Sequence, residues 1–155
     1  LCDRRQRQMC IRDSYGGLQK IPKEELKRQI PVLLERTGLE ECKIKVKNYS
    51  KGMLQRLALA QALLGDPEFL ILDEPSAGLD ALGRVEMMHT IQRLKEEGKT
   101  ILINSHILND IERVCDRGII MKKGSLLHEW EKGTDRRSLE EIFVEKIGGA
   151  KRWES

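Results

Sequence analysis

A chain of 155 residues, 39% hydrophobic and 34% charged, is long enough for one domain with a real core and hardly for two. Its apolar runs are far shorter than the roughly 20 residues of a membrane span, and its charged start gives no sign of a secretory signal. The net charge is +3, but Arg4, Arg5, Arg7 and Arg12 against Asp3 and Asp13 supply +2 of it, so the body of the chain is nearly neutral. With no basic patch in that body, and only two Trp, two Tyr and two Phe to stack on bases, no nucleic-acid partner is expected.

The chain opens on Leu1, and its first Met is Met9, the mark of a piece of a longer protein. Residues 1–14 have neither helical nor strand periodicity and resemble translated sequencing-adapter sequence; a disordered basic tail is the competing reading. Both exclude the leader from the fold. Pro22, followed by Glu24 and Glu25, opens a helix whose apolar stripe is Leu26, Ile30, Leu33 and Leu34 and which Gly38 ends. Pro31 lies inside that pattern and predicts a kink or a break. Cys42 and Cys115 have no CxxC spacing and read as buried or half-buried residues of a reducing compartment.

Ser50 is a good N-cap for a second helix, with Met53, Leu54, Leu57, Ala60 and Leu64 along one face and Gly65-Asp66-Pro67 as its stop. Phe69-Leu70-Ile71-Leu72 follows without a polar interruption, as expected of a parallel-sheet strand buried on both faces, and it delivers Asp73 and Glu74. Neighbouring side chains on an extended segment point in opposite directions, so one acid suits a hard cation and the other a proton or water. The loop Ser76–Asp80 leads to a helix over about Leu82–Glu97, closed by Gly98. A second buried strand, Thr100–Asn104, ends at Ser105-His106. Then come a helix over about Leu108–Cys115, a strand Gly118–Met121, a turn at Lys122–Gly124 into Ser125–His128, and a short helix from Ser138 to Val144. Alternating strands and helices predict an α/β fold with a parallel sheet.

In such sheets ligands gather beyond the carboxyl ends of the strands, where Asp73-Glu74 and Ser105-His106 would stand. Together with the phosphate-seeking N-terminus of the Ser50 helix, they imply phosphoryl chemistry with Mg²⁺. A phosphate loop should accompany them. The only Gly-Lys-Thr, Gly98-Lys99-Thr100, has Arg93 where the first glycine is required and precedes a strand, so it is a helix stop.

Residues 15–146 resemble the later part of the nucleotide-binding domain of ABC transporters. Tyr49-Ser50-Lys51-Gly52-Met53 resembles the signature written LSGGQ, in the Tyr-Ser-Lys-Gly-Met form frequent among ATPase subunits of two-component exporters. Phe69–Glu74 resembles the Walker B strand with its glutamate, Ser76–Asp80 the D-loop, and His106 the switch histidine. The resemblance implies a P-loop NTPase-like α/β fold, a partial parallel sheet flanked by helices. Residues 15–64 would belong to the ABC helical subdomain, 65–146 to the catalytic core and 147–155 to a tail. Gln19 lies too far into the helical subdomain to be the glutamine-loop residue.

By that resemblance Asp73 positions Mg²⁺, Glu74 polarises the attacking water and His106 contacts the γ-phosphate of ATP. Ser50 and Gly52 bind the nucleotide held by a second ATP-binding subunit, and Asp80 crosses to that subunit or serves as a turn residue. Lys51 and Met53 stand where the signature has glycine and glutamine. His89 and His128 read as surface or packing residues. The resemblance implies a transport-coupled ATPase, on the exporter side, paired with a membrane permease at the inner face of the cell membrane. The other readings are a soluble ABC-type ATPase acting on DNA or ribosomes, which would need insertions or a basic arm that this chain does not show, and a non-functional piece. Without a phosphate loop, these 155 residues alone are expected to be inactive toward ATP and poorly soluble, with an unpaired sheet edge.

Overall fold

A computed structural model of the chain describes residues 21–40 and 44–148; the leader, Gln19 and Cys42 lie outside them. The chain divides into two compact units, residues 1–102 and 103–155.

In the first unit, helix α1 (Lys23–Arg36) buries Leu26, Ile30, Leu33 and Leu34, with Glu24 and Glu25 in its first turn. It runs through Pro31 unbroken, so of the expected kink or break the break is absent. The carbonyl that loses its bond to proline belongs to Lys27, an exposed residue that water can satisfy, while the buried stripe continues on both sides. Gly38, at φ +69°, lets the chain reverse so that Leu39 N–H reaches the Leu34 carbonyl at 2.7 Å and its side chain is buried.

Helix α2 (Lys51–Ala62) packs against α1, and Gly65 N–H donates to Gln29 Oε1 at 2.9 Å across the same pair. Leu57, Leu59, Ala60, Leu63 and Leu64 are buried, whereas Leu54, expected on the inner face, is exposed. Left-handed Gly65 and Asp66 stop the helix and lead to strand β1 (Phe69–Asp73). Helix α3 (Ala81–Glu96) buries Met87, Met88, Ile91 and Leu94 and returns the chain to strand β2 (Thr100–Asn104), which pairs with β1 in a small parallel sheet. Gly98, at φ +88°, closes α3, so Gly98-Lys99-Thr100 is the helix stop that its context predicts. Lys99 donates to Asp66 Oδ1 at 2.7 Å and to the Pro67 carbonyl at 2.8 Å, and its ammonium holds the Asp66 carboxyl below its ordinary pKa.

The expectation of two-sided burial fails for both strands. Leu70 and Leu72 are buried, but Ile71 is 67% and Leu102 56% exposed. A strand needs cover on both faces to bury a continuous apolar run, and among the described residues this sheet has two strands and cover on one face.

In the second unit, helix α4 (Leu108–Val114) precedes the antiparallel hairpin of β3 (Arg117–Lys122) and β4 (Ser125–Glu131). Lys123 and Gly124 both have positive φ, +50° and +79°, the two-residue turn whose twist matches paired strands. The register shifts between Ile120 and Met121, a bulge that leaves Ile120 opposite His128 and Met121 opposite Leu126. Helix α5 (Leu139–Gly148) is longer than expected and closes the core of Ile120, Trp130, Leu139 and Ile142, against which half-buried Cys115 packs.

Candidate functional site

The site begins with two helix caps. Ser50 has extended backbone, and its Oγ accepts from Met53 N–H at 3.2 Å, so one orphan donor of α2 is satisfied. The N–H groups of Lys51 and Gly52 precede the first intrahelical bond, from Leu54 N–H to the Ser50 carbonyl at 3.0 Å. Asp80 does the same for α3: its Oδ1 accepts from Gly83 N–H at 2.8 Å. A Cβ at Gly83 would stand 2.8 Å from that oxygen, so a larger residue there would have to displace the capping carboxylate.

The two helix starts pack together. Gly52 lies under Leu79, whose Cδ2 would be 3.1 Å from a Cβ at that position. Gly78 has φ +72°, and the Lys51 side chain folds over it, with Nζ 2.6 Å and Cδ 2.7 Å from where a Cβ would project. The result is an open groove of about 410 Å³ lined by Ser50, Lys51, Gly52, Met53, Gly78, Leu79 and Asp80, among others. Five residues singled out in the sequence, Ser50, Lys51, Gly52, Met53 and Asp80, therefore share one wall. The groove is electrically mixed: two helix N-termini and the Lys51 ammonium favour an anion, and Asp80 opposes one.

Asp73 ends β1 and is exposed. Glu74 follows at φ +48°, in the left-handed region that residues other than glycine seldom adopt. The turn ends the extended alternation of β1 at Glu74. Pro75 and Ser76 are buried behind it, and the Glu74 carbonyl accepts from Ala77 N–H at 3.1 Å, which tightens the loop that leads to Gly78 and Asp80. The same carbonyl accepts from Gln55 Nε2 at 3.3 Å. The sequence does not single out Gln55; the contact spans 19 residues and depends on how α2 packs, for which the linear pattern carries no signal.

His106 belongs to the second unit, exposed in the loop between β2 and α4, where Ile107 N–H donates to Ser105 Oγ at 3.1 Å. His89 is exposed and His128 half-buried. Among the described residues no three His, Cys, Asp or Glu side chains form a ready metal cage. The donor set at Asp73 fits a cation of another kind: Mg²⁺ is held by one or two carboxylates together with substrate phosphates and water.

A family model described as ABC transporter matches residues 3–77, which takes in Ser50–Met53 and both acids and stops short of Asp80 and His106. An uncharacterized ABC transporter ATP-binding protein of Synechocystis sp. is 50% identical over 118 residues, which cover 74% of this chain and 33% of that protein. The Nod factor export ATP-binding protein I of Rhizobium johnstonii is 40% identical over 116 residues, covering 74% of this chain and 37% of that protein. Among solved structures, a dimeric post-hydrolysis state of the ATP-binding cassette MJ0796 bound to ADP and Pi aligns with TM-score 0.63 and 28% identity, over 72% of this chain and 49% of that one. The chain thus spans about a third of the length of these curated relatives.

Proposed function

The chain belongs to the ABC transporter ATP-binding family, and we propose that its full-length protein binds and hydrolyses ATP to drive transport. The observation that carries this reading is the one groove in which the Ser50 helix cap and Gly52 meet Asp80, from the loop that follows the Asp73-Glu74 turn.

In this reading the groove receives the phosphates of a nucleotide held by a second copy or a paralogue, as the dimeric ADP-bound cassette suggests by analogy. The N–H groups of Lys51 and Gly52 and the Lys51 ammonium offer donors to the γ-phosphate, while Met53 lines the same wall. Asp80 keeps the start of α3, and with it the loop edge, in place at the subunit contact. Within its own protomer, Asp73 would hold Mg²⁺, which supplies charge neutralisation on the phosphates when bound. Glu74 orients and deprotonates the attacking water, and His106 contacts the γ-phosphate. Asp73 and Glu74 can take separate roles, since Asp73 ends the extended strand and Glu74 lies in the left-handed turn after it.

The partners of the full-length protein are then a second ATP-binding subunit and a membrane permease, met at the inner face of the membrane. No described helix is long and apolar enough to cross a bilayer, so the permease would be another chain or another segment. Export is the favoured direction, from the Tyr-Ser-Lys-Gly-Met signature and the export-subunit relative. These 155 residues contain no phosphate loop, and on their own they should not turn ATP over.

Glu74→Gln in the full-length protein tests the assignment. The loss of a positioned base should lower phosphate release by about 10²–10⁴-fold, with ATP-dependent dimerisation retained in light scattering. Turnover close to that of the parent protein would show that Glu74 is not the base that activates water.

A further inference from the structure

The turn that carries Glu74 is held from outside its own loop. Its left-handed backbone, φ +48°, is one that a residue with a side chain keeps only where the surroundings impose it. Two donors converge on its carbonyl. Ala77 N–H, at 3.1 Å, comes from the loop itself, whereas Gln55 Nε2, at 3.3 Å, comes from the first turns of α2. Gln55 is half-buried and sits just beyond the Ser50–Met53 segment on the same rigid helix. A small rotation of α2 therefore moves the phosphate-facing segment and the Gln55 amide together. Helices move as units, while a strained turn has few other ways to relax.

We propose that Gln55 is a positioning residue for Glu74: by binding its carbonyl, Gln55 makes the aim of the Glu74 carboxylate follow the placement of α2. The inference rests on the reading of Glu74 as the water-activating base. Its consequence is a route between the two nucleotide sites of a dimer. Capture of the partner's γ-phosphate at the start of α2 would fix α2, and Gln55 would pass that fixation to Glu74, which serves the protomer's own ATP. One amide would thus link engagement of one site to readiness of the other.

The test uses steady-state ATP hydrolysis by the full-length protein. Gln55→Met keeps the length of the side chain and removes the donor; Gln55→Lys returns a donor of similar reach. Gln55→Met should lower kcat at least about tenfold, since small misplacements of a reacting group have effects of this order. KM for ATP, the melting temperature and ATP-driven dimerisation should stay as in the parent, and Gln55→Lys should recover most of kcat. An unchanged kcat in Gln55→Met would overturn the proposal. So would a lower kcat that comes with a lower melting temperature and no recovery in Gln55→Lys, the pattern of a merely structural contact. If Glu74→Gln itself leaves turnover intact, the reading of Glu74 and this inference fall together. If Glu74→Gln stops turnover while Gln55→Met does not slow it, only the inference falls.

Discussion

Replacing Gly78 by alanine separates backbone strain from side-chain crowding at one point of the groove. At φ +72° an L-residue is disfavoured by roughly 1–2 kcal/mol. Alanine recovers about 0.4–1 kcal/mol of that by restricting the unfolded chain, so the backbone alone should cost about 1 kcal/mol. The new Cβ would also stand 2.6–2.9 Å from three atoms of the Lys51 side chain, which must then leave. Lys51 is exposed and flexible, so its displacement should add only about 0.5–1 kcal/mol. Gly78→Ala should therefore destabilise the full-length protein by about 1.5–2 kcal/mol, but by only about 1 kcal/mol in a Lys51→Ala background. Urea midpoints at constant slope, measured without nucleotide, read both numbers. Equal costs in the two backgrounds would refute the packing of Lys51 on Gly78. No cost in either would refute the left-handed turn.

Two further predictions concern the second unit. Ser138 and Glu141 form a capping box on α5, with Ser138 N–H donating to Glu141 Oε2 at 2.8 Å and Glu141 N–H to Ser138 Oγ at 3.2 Å, so Ser138→Ala should cost about 1 kcal/mol in urea unfolding while Ser138→Asp keeps most of the cap. Asp135 is hydrogen-bonded by the Arg137 guanidinium and lowered from 3.8 to about 2. A carboxylate lowered on folding stabilises the native state above its unfolded pKa and loses that contribution as pH falls through the folded one. Asp135→Asn should accordingly flatten the pH dependence of the urea midpoint between pH 3.8 and about 2 and lower the midpoint by a small, pH-independent amount above pH 3.8, an effect that added salt weakens.

The parts of this fold that are legible in the sequence are those decided within a few residues. Ser50 and Ser138 read as caps, because a hydroxyl can reach an N–H only two or three positions on, and the structure places both there. Gly38, Gly65 and Gly98 read as stops and are all left-handed. The parts that mislead depend on what packs where. The run Phe69–Leu72 announces a strand correctly, but apolar composition states a need for cover and not its presence, and Ile71 stays exposed. Pro31 announces a kink or a break by a local rule, and the helix continues through it along the buried stripe of α1.

The candidate site divides along the same line. The acids and the signature segment stand out as residue types in order, so Asp73, Glu74 and Ser50–Met53 can be picked from the sequence. The Asp80 cap is within reach of the same local reasoning that finds Ser50, since Asp80 precedes a helix and its acceptor finds Gly83 N–H three residues on. Gln55 is beyond reach, because a glutamine in a helix says nothing until the 19-residue loop closes against it. Lys51 is the instructive case. Read as a substitution, it removes a glycine from the signature-like segment, which by itself argues for a weaker site. In the folded unit its stem lies over Gly78, a glycine whose left-handed turn leaves room for it. The glycine absent at the start of α2 is accompanied by a glycine at position 78, and Lys51 lines the same groove as Ser50 and Asp80. Such a pairing of a bulkier residue with a neighbouring glycine is a packing relation that a residue-by-residue comparison of motifs does not record.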